Sequence, residues 1–232
     1  TVPGQGTGLG SSSTVTVGLL NAMHAFQGRK VSKEQLAKEA CQIEIDTLGA
    51  PIGRQDQYAA SFGGVNSIRF GENGVKVEPI EVSEGLAKKF SENFTLVFTG
   101  LTRSASKVLS EESDDRSDKI RRMKEIRNHA DEAASYIEQE NLDSLGAILN
   151  KTWLSKREVS SIVTNKQIDD LYERAISSGA IGAKLLGAGN GGFLLVCGNR
   201  HLRGILQRDL GESHRMFPLE IDFSGSKIIF GT

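Results

Sequence analysis

Pro3-Gly4-Gln5-Gly6-Thr7-Gly8-Leu9-Gly10-Ser11-Ser12-Ser13 places glycine at every second position and follows it with three hydroxyls. A loop so short of side chains can wrap a phosphate, because glycine admits positive φ and lets successive N–H groups point into one concavity. Apolar residues then recur at Val15, Leu19, Met23 and Phe26, a helical period ending near Gly28. The loop therefore delivers an anion to a helix N-terminus, where unpaired first-turn N–H groups and the helix dipole favour negative charge. Ser11, Ser12 and Ser13 are suited to capping that helix and to touching a phosphate or metal.

Two common phosphate loops are excluded. A Walker loop needs lysine in Gly-x-x-x-x-Gly-Lys-Ser/Thr, and no lysine lies between Thr1 and Arg29. The dinucleotide fingerprint needs Gly-x-Gly-x-x-Gly after a strand, whereas the glycines here fall at 4, 6, 8 and 10 with no strand ahead of them. The plain alternative is a flexible Gly/Ser linker.

The bulk numbers fit an ordinary globular protein: 232 residues, net charge −1 and 38% hydrophobic content. They argue against a nucleic-acid partner, and no apolar run reaches membrane-spanning length, so a cytoplasmic chain with no membrane partner is expected. Cys41 and Cys197 lie in apolar segments and read as small core residues without a zinc pattern. The chain begins at Thr1 with no strand to anchor the loop, so an upstream piece of the fold is expected to be missing.

Ser32-Lys33-Glu34-Gln35 reads as a capping box for a second helix with Leu36, Ala40, Ile43 and Thr47 on one face and a stop at Gly49. Glu44, between Ile43 and Ile45, is either buried against a partner or part of a solvated face with Asp46. The run Gly53-Arg54-Gln55-Asp56-Gln57-Tyr58-Ala59-Ala60 enters a short helix with Asp56 near its start. Residues 65–70 and 75–80 read as a hairpin turning at Glu72-Asn73-Gly74. Phe94 to Thr99 reads as a strand flowing into Gly100-Leu101-Thr102-Arg103, where Arg103 offers a planar fork for an anion or is a plain surface cation. A change of pattern over 81–93 suggests domains at 1–85 and 86–232.

Charges of mixed sign crowd 111–128, reading as a solvated loop into a helix. Helices follow over 142–154 and 168–176, and Trp153 reads as a packing residue. Two short apolar strands then flank Gly187-Ala188-Gly189-Asn190-Gly191-Gly192, a loop too glycine-rich for a simple hairpin and suited to close approach by another backbone. A helix over 201–210 and strands over 217–221 and 227–230 complete a β/α/β pattern of ferredoxin-like type. The helical layer is one surface through which a homodimer could form.

Gly6 to Ser12 resembles the Pro-x-x-x-Gly-Leu-Gly-Ser-Ser loop of the GHMP small-molecule kinases. Glu44 followed by Asp56 in Gly-x-x-Asp resembles their acid pair, and Gly187 to Gly192 their third signature. The resemblance implies an α+β GHMP kinase fold: a partial N-terminal ribosomal-protein-S5-domain-2-like domain plus a C-terminal ferredoxin-like domain. It also implies ATP and Mg²⁺. Gly6, Gly8, Leu9, Gly10, Ser11 and Ser12 would bind the ATP phosphates, Ser12 and Glu44 the metal, and Asp56 would take or orient the acceptor's proton. Thr99, Gly100, Arg103, Gly187, Ala188, Gly189, Asn190, Gly191 and Gly192 would lie on the acceptor side. The Ile-Glu-Ile-Asp run, Thr-Gly-x-Thr-Arg and the ending Phe-x-Gly-Ser-Lys-Ile look most like the heptose-phosphate branch. That implies a sugar phosphate substrate, phosphorylated at its anomeric hydroxyl. Galactokinase or fucokinase, or a non-catalytic sensor on the same fold, are the rival readings.

Overall fold

The serine run opens a helix, α1 (Ser11–Phe26), in a computed structural model that describes residues 7–102, 116–211 and 213–230. Its inner face differs from the expected one. Val15, Leu19, Met23 and Phe26 face outward, Phe26 being 93% exposed, while Ser13 and Val17 are buried. The two stripes are offset by two residues, about 200° around the helix, so they occupy opposite faces. Val17 packs with Leu36 and Ala40 of α2 (Lys33–Cys41).

Ser32 caps α2 by accepting from the Gln35 amide at 3.1 Å, but the reciprocal half of the box is absent, since the Gln35 side chain turns to Glu39. The chain then widens into a π-helical turn, Gln42–Thr47, before α3 (Gln55–Phe62). The hairpin forms as expected: β1 (Val65–Gly71) pairs antiparallel with β2 (Gly74–Ile80), Gly71 opposite Gly74.

From there α4 (Glu84–Asn93), capped by Ser83, runs straight into β3 (Phe94–Phe98). Three helices follow, α5 (Arg116–Glu138), α6 (Leu142–Val159) and α7 (Lys166–Ser177). The chain closes with β4 (Gly182–Leu185), β5 (Phe193–Cys197), α8 (Leu202–Leu210) and β6 (Met216–Pro218). The four strands form one antiparallel sheet ordered β4-β5-β3-β6, the ferredoxin-like arrangement. Its core gathers Val97, Trp153, Ile168, Leu171, Leu185, Leu194 and Leu206, so Trp153 is the packing residue its sequence suggested. Burial pushes the Cys197 thiol up to about 12, as befits an inert core cysteine.

Contacts divide the chain into two compact units, Gly10–Ile80 with Ile221–Thr232, and Thr1–Leu9 with Glu81–Glu220. The tail, counted with the second domain from sequence, thus packs in the unit of α1 to α3. Gly64 donates to the Asp222 carbonyl at 2.7 Å, and the Lys33 amine donates to the carbonyls of Phe62 and Ser224. Residues 227–230, expected as a strand, are irregular, and Ile229 and Phe230 are exposed. No helix among the described residues is long and apolar enough to cross a membrane.

The tail docks through two glycines whose backbones nearly touch. A Cβ on Gly63, at φ 65°, would lie 2.2 Å from the Gly225 nitrogen. Gly63→Ala is therefore expected to lower stability by about 1–3 kcal/mol from overpacking, with positive-φ strain in addition. Urea denaturation checks this, and a change within a few tenths of a kcal/mol would show that the tail contributes nothing there.

Candidate active site

Gly10 sits at the N-cap of α1 in left-handed conformation, φ 66°, and no side chain caps the helix. The three serines fall inside the first turn, which corrects their expected capping role and leaves the first-turn N–H groups without a side-chain acceptor. A Cβ on Gly10 would lie 3.2 Å from Cβ and Cγ of Asp56, so only glycine lets the loop run this close to that acid. Gly8, at φ 76°, and the exposed Leu9 lead into this turn.

Glu44 lies on the π-helical turn and is 3% exposed, which decides between its two sequence readings in favour of burial. A buried carboxylate needs donors, and three are supplied. Its Oε1 accepts from Ser12 Oγ at 2.8 Å, and its Oε2 accepts from Ser13 Oγ at 2.7 Å and Gln57 Nε2 at 2.6 Å. Ser12 itself is at the surface, so the cluster opens to solvent on the Oε1 side. Asp56, one residue before Gln57 on α3, is half-buried. Desolvation holds its carboxyl above the usual aspartate value, with the nearby Glu44 charge adding to the rise against a lowering hydrogen bond from Gln55.

The Ser12 and Glu44 oxygens can take a hard cation. Two ligands at right angles on an octahedral ion, each about 2.0–2.1 Å away, stand about 2.9 Å apart, close to the observed 2.8 Å. No group of three or more His, Cys, Asp or Glu able to hold a metal is present among the described residues. That donor set suits an ion that keeps most of its shell for water and substrate phosphates, as Mg²⁺ does.

The second glycine loop joins β4 to β5 and makes the close approaches its composition requires. A Cβ on Gly192 would lie 2.2 Å from the Thr7 carbonyl oxygen, and one on Gly8 would lie 2.8 Å from that of Leu186. The two glycine loops are therefore in backbone contact at Thr7 and Gly8. Gly189 is pressed on Val163, Asn190 has φ 57° and accepts from Asn165, and Lys156 donates to the Gly187 carbonyl. Ala188 packs on the sheet core, and Gly191 is buried.

Thr99 is fully buried and its hydroxyl donates to the Gly192 carbonyl at 2.8 Å, so it braces the loop from behind instead of facing a substrate. Gly100 is exposed with φ 78°. Gly6 and Arg103 lie outside the described residues. Sequence reasoning passed over Gln57, which holds the Glu44 carboxylate in one unit, and Asn165 and Lys156, which hold the second glycine loop in the other. Only the Asp56-Gln57 adjacency carried a hint, since a polar pair at a helix start suggests one member turned inward.

Two models of one family match this chain: "GHMP kinases N terminal domain" over residues 1–64 and "GHMP kinases C terminal" over residues 133–214. A D-glycero-alpha-D-manno-heptose 7-phosphate kinase from Campylobacter jejuni is 35% identical over 192 residues, covering 82% of this chain and 57% of the relative. A bifunctional fucokinase/GDP-fucose pyrophosphorylase from Arabidopsis thaliana is 26% identical over 94% of this chain and 21% of its own length. In fold, the chain is like the crystal structure of a D-glycero-D-manno-heptose 1-phosphate kinase from Bacteriodes thetaiotaomicron. The TM-score is 0.75 at 23% identity, over 95% of this chain and 62% of that one. The chain thus spans little more than half of the Campylobacter relative's length. With both domain models matched in order, and with its acid cluster and paired glycine loops, the chain belongs to the GHMP kinases.

Proposed function

We propose that this chain forms part of an ATP-dependent sugar kinase that transfers the γ-phosphoryl group to the anomeric hydroxyl of heptose 7-phosphate. The observation that carries the reading is the joined set of Ser12, Glu44 and Asp56 around the glycine turn at Gly10. Phosphoryl transfer asks a protein mainly for positioning and charge neutralisation. The N–H groups of Gly8 to Ser12 would receive the nucleotide phosphates, and Ser12 with Glu44 would hold Mg²⁺. That ion, when bound, supplies positive charge against the phosphate oxygens. Asp56 would accept or orient the proton of the acceptor hydroxyl. Gly187 to Gly192 and Gly100 with Arg103 would serve the acceptor. The similarity to the Campylobacter kinase favours a heptose phosphate, and the Arabidopsis relative supports a neutral sugar such as fucose as the second reading. Such small-molecule chemistry belongs in the cytoplasm.

The test is acceptor-dependent ADP release by the complete gene product with Mg-ATP, offered heptose 7-phosphate, galactose, fucose or no acceptor. Selective turnover of heptose 7-phosphate is expected. Turnover of a neutral sugar alone would overturn the acceptor while keeping the kinase, and nucleotide binding without turnover on any acceptor would leave a sensor.

Asp56 supplies a second prediction in which activity and stability move oppositely. Its folded value lies above the unfolded one, so its stabilising contribution is complete below about pH 3.9 and is lost as pH rises through the folded value. Asp56→Asn should therefore melt higher than the wild type at pH 7, and that advantage should fade as the pH approaches 4. Turnover should fall about 10²–10⁴-fold. A lower melting temperature at pH 7 would contradict the burial of this acid.

A further inference from the structure

The two oxygens of Glu44 are treated differently. Oε2 receives both buried donors, Ser13 Oγ and Gln57 Nε2, from residues only 2% and 0% exposed, while Oε1 meets Ser12 alone. The amide of Gln57 has one workable orientation. Flipped, its carbonyl oxygen would face a carboxylate oxygen at 2.6 Å. In the orientation present, Gln57 Oε1 is buried with no hydrogen-bond partner among the described residues. A buried oxygen left unpaired is unfavourable, and packing alone would be served better by an apolar side chain of this shape. The polar residue is explained by the carboxylate it holds.

We propose that Ser13 and Gln57 are positioning residues that clamp Oε2 of Glu44, so that the carboxylate can offer a divalent cation only Oε1, beside Ser12. This rests on the reading of Ser12 and Glu44 as cation ligands. With both lone pairs of Oε2 engaged, Glu44 is restricted to one-oxygen binding, which suits a small octahedral ion. The larger Ca²⁺ commonly draws on both carboxylate oxygens, so it loses that option here. Because Gln57 follows Asp56 on α3, the same clamp ties the turn that carries Asp56 to the cation ligand.

Ser13→Ala removes one atom, and Gln57→Met keeps side-chain length without the donor. In the complete gene product with ADP bound, Mn²⁺ affinity measured by electron paramagnetic resonance should weaken about 10-fold or more in each variant. The half-saturating Mg²⁺ for turnover should rise in parallel, while metal-free ADP affinity stays within about twofold. Unchanged Mn²⁺ affinity in both variants would overturn the clamp, as would weakened ADP binding without metal. Glu44→Gln, run alongside, separates the two readings. If it binds Mn²⁺ as tightly as the wild type, the cation-ligand reading falls; if it loses the ion while both clamp variants keep it, only the clamp falls.

Discussion

A carboxylate with 3% of its surface exposed is held by three hydrogen bonds, and the surrounding unit is arranged by that need. A carboxylate cannot be taken from water uncompensated. The donors to Glu44 come from two other elements: Ser12 and Ser13 from the first turn of α1, and Gln57 from the first turn of α3. Those turns are therefore drawn to the π-helical turn that carries Glu44. The extra residue of a π turn shifts the facing of side chains, which lets Glu44 point inward while Leu48 beyond it returns to the surface. Once the three turns meet, Gly10 and Asp56 are neighbours without any further device.

The other unit solves a different problem with the same residue type. Its glycine loop is not free backbone. Thr99 holds Gly192, Asn165 holds Asn190, Val163 backs Gly189 and Lys156 binds the carbonyl of Gly187. Every one of these partners sits on, or next to, an element of the sheet or its helices. Absent side chains let the loop meet Thr7 and Gly8 at van der Waals distance, and the bracing supplies the rigidity that glycine lacks. Such a loop can position a neighbouring group only if its own backbone is fixed beforehand.

Much of this was legible in the chain. The glycine spacing, the Glu72-Asn73 hairpin and the β/α/β pattern of the second half each follow from a local signal with a physical cause, whereas the pairing of Glu44 with Asp56 came from the family resemblance. What escaped reading has causes too. The outward stripe of Val15, Leu19, Met23 and Phe26 shows that periodicity establishes that a helix has a face without saying what lies against it. The opposite stripe looked polar because its first member, Ser13, serves Glu44. The serines resembled caps because capping and ligand contact ask for the same side chains, and only the left-handed Gly10 distinguishes the two. Residues 227–230 have the composition of a strand, but a strand exists only where another pairs with it. Gln57 is one amide among many polar residues, and its burial depends on the position of Glu44, thirteen residues away in sequence.

Buried side-chain atoms without a hydrogen-bond partner occur in several elements among the described residues. Thr7 Oγ1 on the first glycine loop, His24 Nδ1 on α1, and Gln57 Oε1 and Ser61 Oγ on α3 are buried without partners among the described residues, and α3 also carries the desolvated acid of Asp56. The sheet core, by contrast, is built from apolar side chains in mutual contact, with Trp153 Nε1 its one such orphan among the described residues. Each orphan lowers the stability of the fold, and a sequence shaped by packing alone would replace it. Two of them lie on α3 beside the desolvated Asp56, whereas the sheet core is almost wholly apolar. Helix α3 is short and has no side-chain cap at its N-terminus, so it depends on Tyr58 and on the Gln57 bond to Glu44 to stay in place. The group that makes this helix costly to bury is thus also the group that anchors it, which explains why the acid pair and the glutamine occur together.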